Sequence, residues 1–136
     1  MLGVVSVGSR TTELRVNAVL DQLPIVLAAA RTLTRRSGFA LEEIAEVTHA
    51  IDEVGAMLID AASIGSRLRC SFVVSGSVFL MTGTVTSRRC LRRHPDSRWR
   101  VLEALTDRVL TTDLLGESEG ECEIVVGFVK RRRGFV

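Results

Sequence analysis

From Thr12 to Ala18 the chain alternates, with Leu14, Val16 and Ala18 on one side and Glu13, Arg15 and Asn17 on the other. Period two is the signature of a strand with one buried face. The period then lengthens: Leu20, Leu23, Leu27, Ala30 and Leu33 recur at helical spacing. That spacing predicts a helix whose first turn Asp21 can cap and in which Pro24 is tolerated, because the early amide hydrogens have no helical acceptor. Gly38 stops it, since glycine accepts the left-handed conformation at a helix end. Ile44, Val47, Ile51, Val54, Leu58 and Ala62 form a second stripe, predicting a longer helix from about Leu41 to Ala62 that Gly65 closes. Glu42, Glu43 and Glu46 lie near its N-terminal end, where the helix dipole favours negative charge.

Alternation returns at Arg67 to Ser75, with Leu68, Cys70, Phe72 and Val74 on one face. Ser75-Gly76-Ser77 is turn chemistry, and Val78 to Thr86 is again rich in β-formers, so a hairpin is predicted. A basic loop from Ser87 to Pro95 precedes a third helix, capped by Asp96 or Ser97, with Trp99, Leu102 and Leu105 on its apolar face and an extension toward Val109. Val109 to Asp113 reads as a short strand, Gly116 to Gly120 as a turn, and the alternation of Cys122, Ile124, Val126 and Phe128 as a last long strand. Lys130 to Val136 reads as a loose basic tail. Helices segregated from hairpin-linked strands give an α+β fold, a two-layer α/β sandwich.

Composition keeps this within one domain spanning residues 1–136. A chain of 136 residues, 46% hydrophobic and 25% charged, is long enough to bury a core and ordinary for a globular protein. No apolar run reaches the roughly 18 residues of a membrane span, and Met1 to Arg10 lacks the basic and apolar regions of a signal peptide. Cys70, Cys90 and Cys122 are odd in number and far apart, suggesting neither a disulfide framework nor a zinc site. No metal centre is expected, and a reducing cytoplasm is the expected compartment. Net charge is only +2, but it is unevenly spread. Acidic residues crowd Glu42 to Asp60, and basic residues crowd Arg88 to Arg100 and Lys130 to Arg133.

The text of the second helix carries the most specific signal, Val47-Thr48-His49-Ala50-Ile51-Asp52-Glu53-Val54-Gly55-Ala56-Met57-Leu58-Ile59. With the order of elements, it resembles the ATPase domain shared by gyrase, Hsp90, histidine kinases and the anti-sigma serine kinases, the GHKL or Bergerat fold, and within it the RsbW-like anti-sigma group. The resemblance covers about Thr12 to Arg131, and Trp99 to Val109 with Gly120 to Lys130 resembles that group's last helix and strands. It implies a mixed, mostly antiparallel sheet with about three helices on one face.

It also implies where a nucleotide would bind. Family members carry on this helix a glutamate that acts as base, an asparagine four residues later that binds Mg²⁺, and often a histidine four residues after that. Spacing of four puts all three on one helix face. Glu53 matches the glutamate, but Met57 stands at the asparagine position and Ala61 at the histidine position. A thioether is a poor ligand for magnesium, which takes oxygen. The family's Asp-x-Gly-x-Gly motif, which anchors adenine, should fall between Val85 and Pro95, and that stretch holds neither aspartate nor glycine. A glycine-rich lid is missing before the third helix as well, where the chain reads Asp96-Ser97-Arg98-Trp99-Arg100. Phosphoryl transfer depends on positioning and metal electrostatics, so Glu53 is expected to be a vestigial base and no cofactor is expected.

The resemblance therefore implies a regulatory protein-binding domain, a degenerate anti-sigma factor that sequesters a sigma factor or binds an anti-anti-sigma antagonist, and that forms a homodimer through a sheet edge or the first strand. Arg31 and Arg35 on the first helix and Arg88, Arg89, Arg92 and Arg93 in the basic loop are the candidate partner contacts. Two other readings are open. One is an ATP-dependent serine-protein kinase with an unusual nucleotide site, motivated by Glu53. The other is a nucleic-acid-binding module using the arginine loop, since arginine neutralises phosphates. Against the latter, Trp99 is the one aromatic among these arginines that could stack on a base. Neither nucleic acid nor a membrane is the expected partner.

Overall fold

The computed structural model describes residues 9–88, 97–115 and 120–133. Strand β1 (Ser9–Asn17) leads through a 3-10 turn (Leu20–Gln22) into helix α1 (Leu23–Arg36) and helix α2 (Leu41–Ala61). The hairpin β2 (Arg67–Ser75) and β3 (Val78–Ser87) follows, then helix α3 (Ser97–Leu105), β4 (Arg108–Leu115) and β5 (Cys122–Arg131). The expected elements are all present and in the expected order.

Local chemistry sets most of the boundaries. Pro24 sits in the first turn of α1. Asp21 does not cap that helix: it lies in the 3-10 turn, and the residue at the cap, Gln22, makes no side-chain capping bond. Gly38 adopts φ 81° just past α1, the left-handed exit that its missing Cβ permits. In the β2–β3 hairpin, Gly76 has φ 57° at the first position of a two-residue turn, where such turns favour glycine. Helix α3 stops at Leu105 rather than running on toward Val109. There the Thr106 hydroxyl donates to the Leu102 carbonyl at 2.6 Å, and the Asp107 amide turns to the Val129 carbonyl at 2.9 Å.

The five strands lie in the order β1-β2-β3-β5-β4. Every pairing among them is antiparallel, so the sheet is not mixed. β3 and β4 do run the same way, but β5 separates them. One face carries Leu68, Cys70 and Phe72 of β2, Phe79, Met81 and Val85 of β3, and Ile124, Val126 and Phe128 of β5, all buried. Against it pack Val26 and Ala30 of α1, Val47, Ile51, Val54 and Leu58 of α2, and Leu102 of α3. Phe79 is the hub, with ring centroids 6.4 Å from Phe39, 6.0 Å from Phe72 and 6.2 Å from Phe128. The helices leave the other face uncovered, and there the Arg69 guanidinium reaches across Thr84 to pair with Glu123.

The tail expected from residue 130 onward is a correction. β5 continues to Arg131, Lys130 is buried beside α2, and the Arg132 amide donates to the Ser77 carbonyl at 2.6 Å. Sequence reasoning took four consecutive cations as a solvated end, whereas the period-two alternation carries Lys130 onto the buried face with Phe128. Residues 134–136 lie outside the described residues. None of the described helices is long and apolar enough to cross a membrane.

Candidate functional site

Helix α2 is the central helix, packed against α1, α3 and the sheet strands β3 and β5. Its three residues of expected chemistry fall in different surroundings. Glu53 is half-buried, with no hydrogen bond or ion pair among the described residues. Met57, one turn on, is half-buried and packed against the hydrophobic core. Ala61 is buried in that core. Of the candidate contact residues, Arg31 and Arg35 are exposed one turn apart on α1, and Arg88 is exposed just past β3. Arg89, Arg92 and Arg93 lie outside the described residues. The structure thus brings Arg31 and Arg35 onto one surface and places Arg88 on a separate element.

Arg31 borders a groove of about 570 Å³ between α1 and α2. Leu27 of α1 and Leu41, Ile44 and Ala45 of α2 give it an apolar floor, and Thr48, His49 and Asp52 continue the α2 wall. Periodicity assigned Leu27 and Ile44 to helix stripes, but it carries no information on which stripe residues are left at a helix–helix seam.

A second polar cluster, missed by sequence reasoning, ties the start of α2 to the end of β5. The Glu43 carboxylate accepts from the Ala40 amide at 2.8 Å and from the Arg133 amide at 2.6 Å. The first bond is half of a capping box, and alanine at the cap has no side-chain oxygen to return it. Lys130 donates to Glu46 Oε1 at 2.9 Å and to the Leu105 carbonyl at 2.8 Å. The only sequence signal was a glutamate three residues into a helix.

Burial would push the Glu43 carboxyl up. The two backbone amides of Arg133 and Ala40, with the charges of Lys130 and Arg133, outweigh it and hold the group below its ordinary 4.5. A lowered folded-state pKa favours the folded state above the unfolded value, and the contribution is lost as pH falls through the folded one. Denaturation of the wild type between about pH 7 and pH 3 is therefore expected to show stability falling as pH drops below 4.5. Glu43→Gln, which cannot ionise, flattens that slope; an unchanged slope would mean that Glu43 is not the group responsible.

The free Cys70 is buried, and burial pushes its thiol up to about 12, so it is no nucleophile. Cys122 is disulfide-bonded, which corrects the reading of three isolated thiols, and Cys90 lies outside the described residues.

No family model matches the chain, and no curated protein does. Among solved structures it is similar to the RsbU and RsbW domains of Rv1364c from Mycobacterium tuberculosis, with a TM-score of 0.58 at 15% sequence identity. The similarity covers 93% of this chain and 34% of that one, so the chain spans about a third of that protein's crystallised length. At that identity the likeness establishes the fold alone, a two-layer α/β sandwich.

Proposed function

We propose that this chain is a regulatory protein-binding domain of the anti-sigma type, which holds a sigma factor or an anti-anti-sigma antagonist and has lost the nucleotide chemistry of its fold. Met57 carries this reading. It occupies the helix position where the fold would need an oxygen ligand for magnesium, and its thioether is packed on the core instead. Ala61, one turn further, is buried and offers no donor at all. The stretch that would anchor adenine has no aspartate and no glycine in its sequence. The residues present do not fit a magnesium nucleotide. With metal and purine both unheld, Glu53 has no aligned phosphate to act on, since phosphoryl transfer draws its rate from positioning and metal charge. What remains to the domain is its surface. The likeness in fold to a structure holding an RsbW domain, and Arg31 and Arg35 on α1, which make no ion pair among the described residues, support a protein partner, and the edge position of β1 suits a homodimer.

Calorimetric titration of the chain with ATP and Mg²⁺ is expected to give no binding heat. Saturable heat, with phosphate transferred to a serine of an antagonist protein, would replace this reading with the kinase. Co-purification from the native cell is expected to recover a sigma factor or its antagonist at stoichiometric yield.

A further inference from the structure

Where β5 runs out, three consecutive backbone amides are fastened to three separate parts of the domain. The Arg131 amide donates to Asp107 Oδ2 in the α3–β4 turn at 2.7 Å. The Arg132 amide donates to the Ser77 carbonyl in the β2–β3 turn at 2.6 Å. The Arg133 amide donates to Glu43 Oε2 at the start of α2 at 2.6 Å. Nothing apolar holds this run, because all three residues are arginines, with Arg131 and Arg133 exposed and Arg132 half-buried. The Arg132 Nε is buried and has no hydrogen-bond partner among the described residues, so closing the run also costs the desolvation of a donor. Two of the three acceptors are carboxylates. A hydrogen bond to an ionised acceptor is roughly twice as strong as one to a neutral group, so the hold on the run depends on the charge of Asp107 and Glu43.

We propose that residues 131–133 form an acid-releasable strap, closed over the start of α2 while Glu43 and Asp107 are ionised and let go as a unit, with the sheet still folded, when they are protonated. The inference goes beyond the protein-binding reading and does not depend on it. Glu43 is the principal lock, because it is buried and ties the strap to the Ala40 amide through one carboxylate. Lys130 and Arg133 face it from the end of β5, and Glu42 and Glu46 flank it on α2. The α1–α2 loop, whose Gly38 lies against the Arg132 guanidinium, carries no titratable side chain, and Arg35 and Arg36 before it are cations. Asp107 stands between Arg131 of the strap and its own neighbour Arg108. The amides and cations around Glu43 favour its ionised form, which sets the sign: the strap is closed at neutral pH and opens as pH falls below the ordinary 4.5 of that carboxyl. Opening stops at Lys130, which is buried and keeps its bond to the Leu105 carbonyl, a group that does not titrate. Upstream of it, Ile124, Val126 and Phe128 are anchored in the core. A run with solvated polar fastenings next to a strand with apolar ones is where a local opening is separable from global unfolding.

The test is amide hydrogen exchange on the full chain, read residue by residue by NMR from about pH 7 to about pH 3.5, with protection taken relative to the unfolded-chain rate at each pH. Protection at Arg131, Arg132 and Arg133 is expected to fall together, by about tenfold, as the charge-assisted bonds weaken, while Val126 and Phe128 keep theirs. The fall at Arg132 is the telling one, since its acceptor is a backbone carbonyl and responds to acid only if the strap moves as a unit. Glu43→Gln should lower protection at all three amides already at pH 7, Arg131 included. Loss at Arg133 alone would mean separate bonds rather than a strap. A parallel loss at Val126 and Phe128 would mean that the whole domain opens, and unchanged protection down to the lowest pH would mean that the carboxylates do not hold the run. Each of these outcomes overturns the proposal, and the wild-type series delivers all of them even where Glu43→Gln does not fold.

Discussion

Replacing Phe79 with alanine is expected to cost about 3–5 kcal/mol, the range for truncating a fully buried aromatic. Phe79 is wholly buried and touches three other rings, those of Phe39, Phe72 and Phe128, which come from the α1–α2 loop and from two other strands. Those rings cannot follow the missing side chain inward without pulling their own backbones, so most of the cavity stays open. Each aromatic pair adds roughly 0.5–1.5 kcal/mol beyond area burial. Against a total stability of about 5–15 kcal/mol for a domain, such a loss takes a large share. Urea denaturation should show a lowered midpoint with the slope unchanged. Phe79→Leu, which keeps most of the volume, should lose less than about half as much. A midpoint within error of the wild type for the alanine variant would mean that the ring cluster is not the centre of the core.

The second large effect has a sign that depends on which partner is removed. Lys130 is held with 4% of its side chain exposed, against Glu46 at 32%. Glu46→Ala leaves the ammonium hydrogen-bonded to the Leu105 carbonyl, with the Glu43 charge nearby but its ion-pair partner gone, and a buried charge stripped of its partner costs up to about 3–5 kcal/mol. Water can reach the vacated side, because a third of Glu46 was already solvated, so the expected loss is about 2–3 kcal/mol. Lys130→Met in that background removes the stranded charge and fills the same space. It should return stability to within about 1 kcal/mol of wild type, since an apolar replacement of a buried ion pair is often neutral. The comparison is a double-mutant cycle read by chemical denaturation. If the double variant is no more stable than Glu46→Ala, the ammonium is not what makes the single loss expensive.

The fold was largely legible because its signals are local. Period two from Arg67 to Ser75 and the β-rich run from Val78 to Thr86, with a glycine turn between, placed the hairpin to within a residue, and the stripe from Ile44 to Leu58 placed α2. What the sequence could not supply is what folding brings together from a distance. Lys130 and Glu46 are 84 residues apart, and Arg133 and Glu43 are 90 apart. No local pattern marks such pairs, so a run of cations was taken for a tail. Asp21 failed as a cap because the chain enters α1 through a 3-10 turn, which occupies the position a capping side chain would need. At the candidate site, spacing of four puts Glu53, Met57 and Ala61 on successive turns of α2, where their surroundings differ, but the groove beside Arg31 is a property of two helices and belongs to neither stripe alone.

The place of β5 in the sheet has a consequence for how the chain is made. The last of the five described strands in chain order is an interior one, lodged between β3 and β4. Until residues 122–131 arrive, β3 presents an open row of amides and carbonyls, and β4 has no neighbour to join. A nascent or nicked polypeptide ending before Cys122 is thus not a slightly shorter version of the domain. It is a half-built sheet with a sticky apolar margin, the kind of species that chaperones retain and that aggregates when they do not.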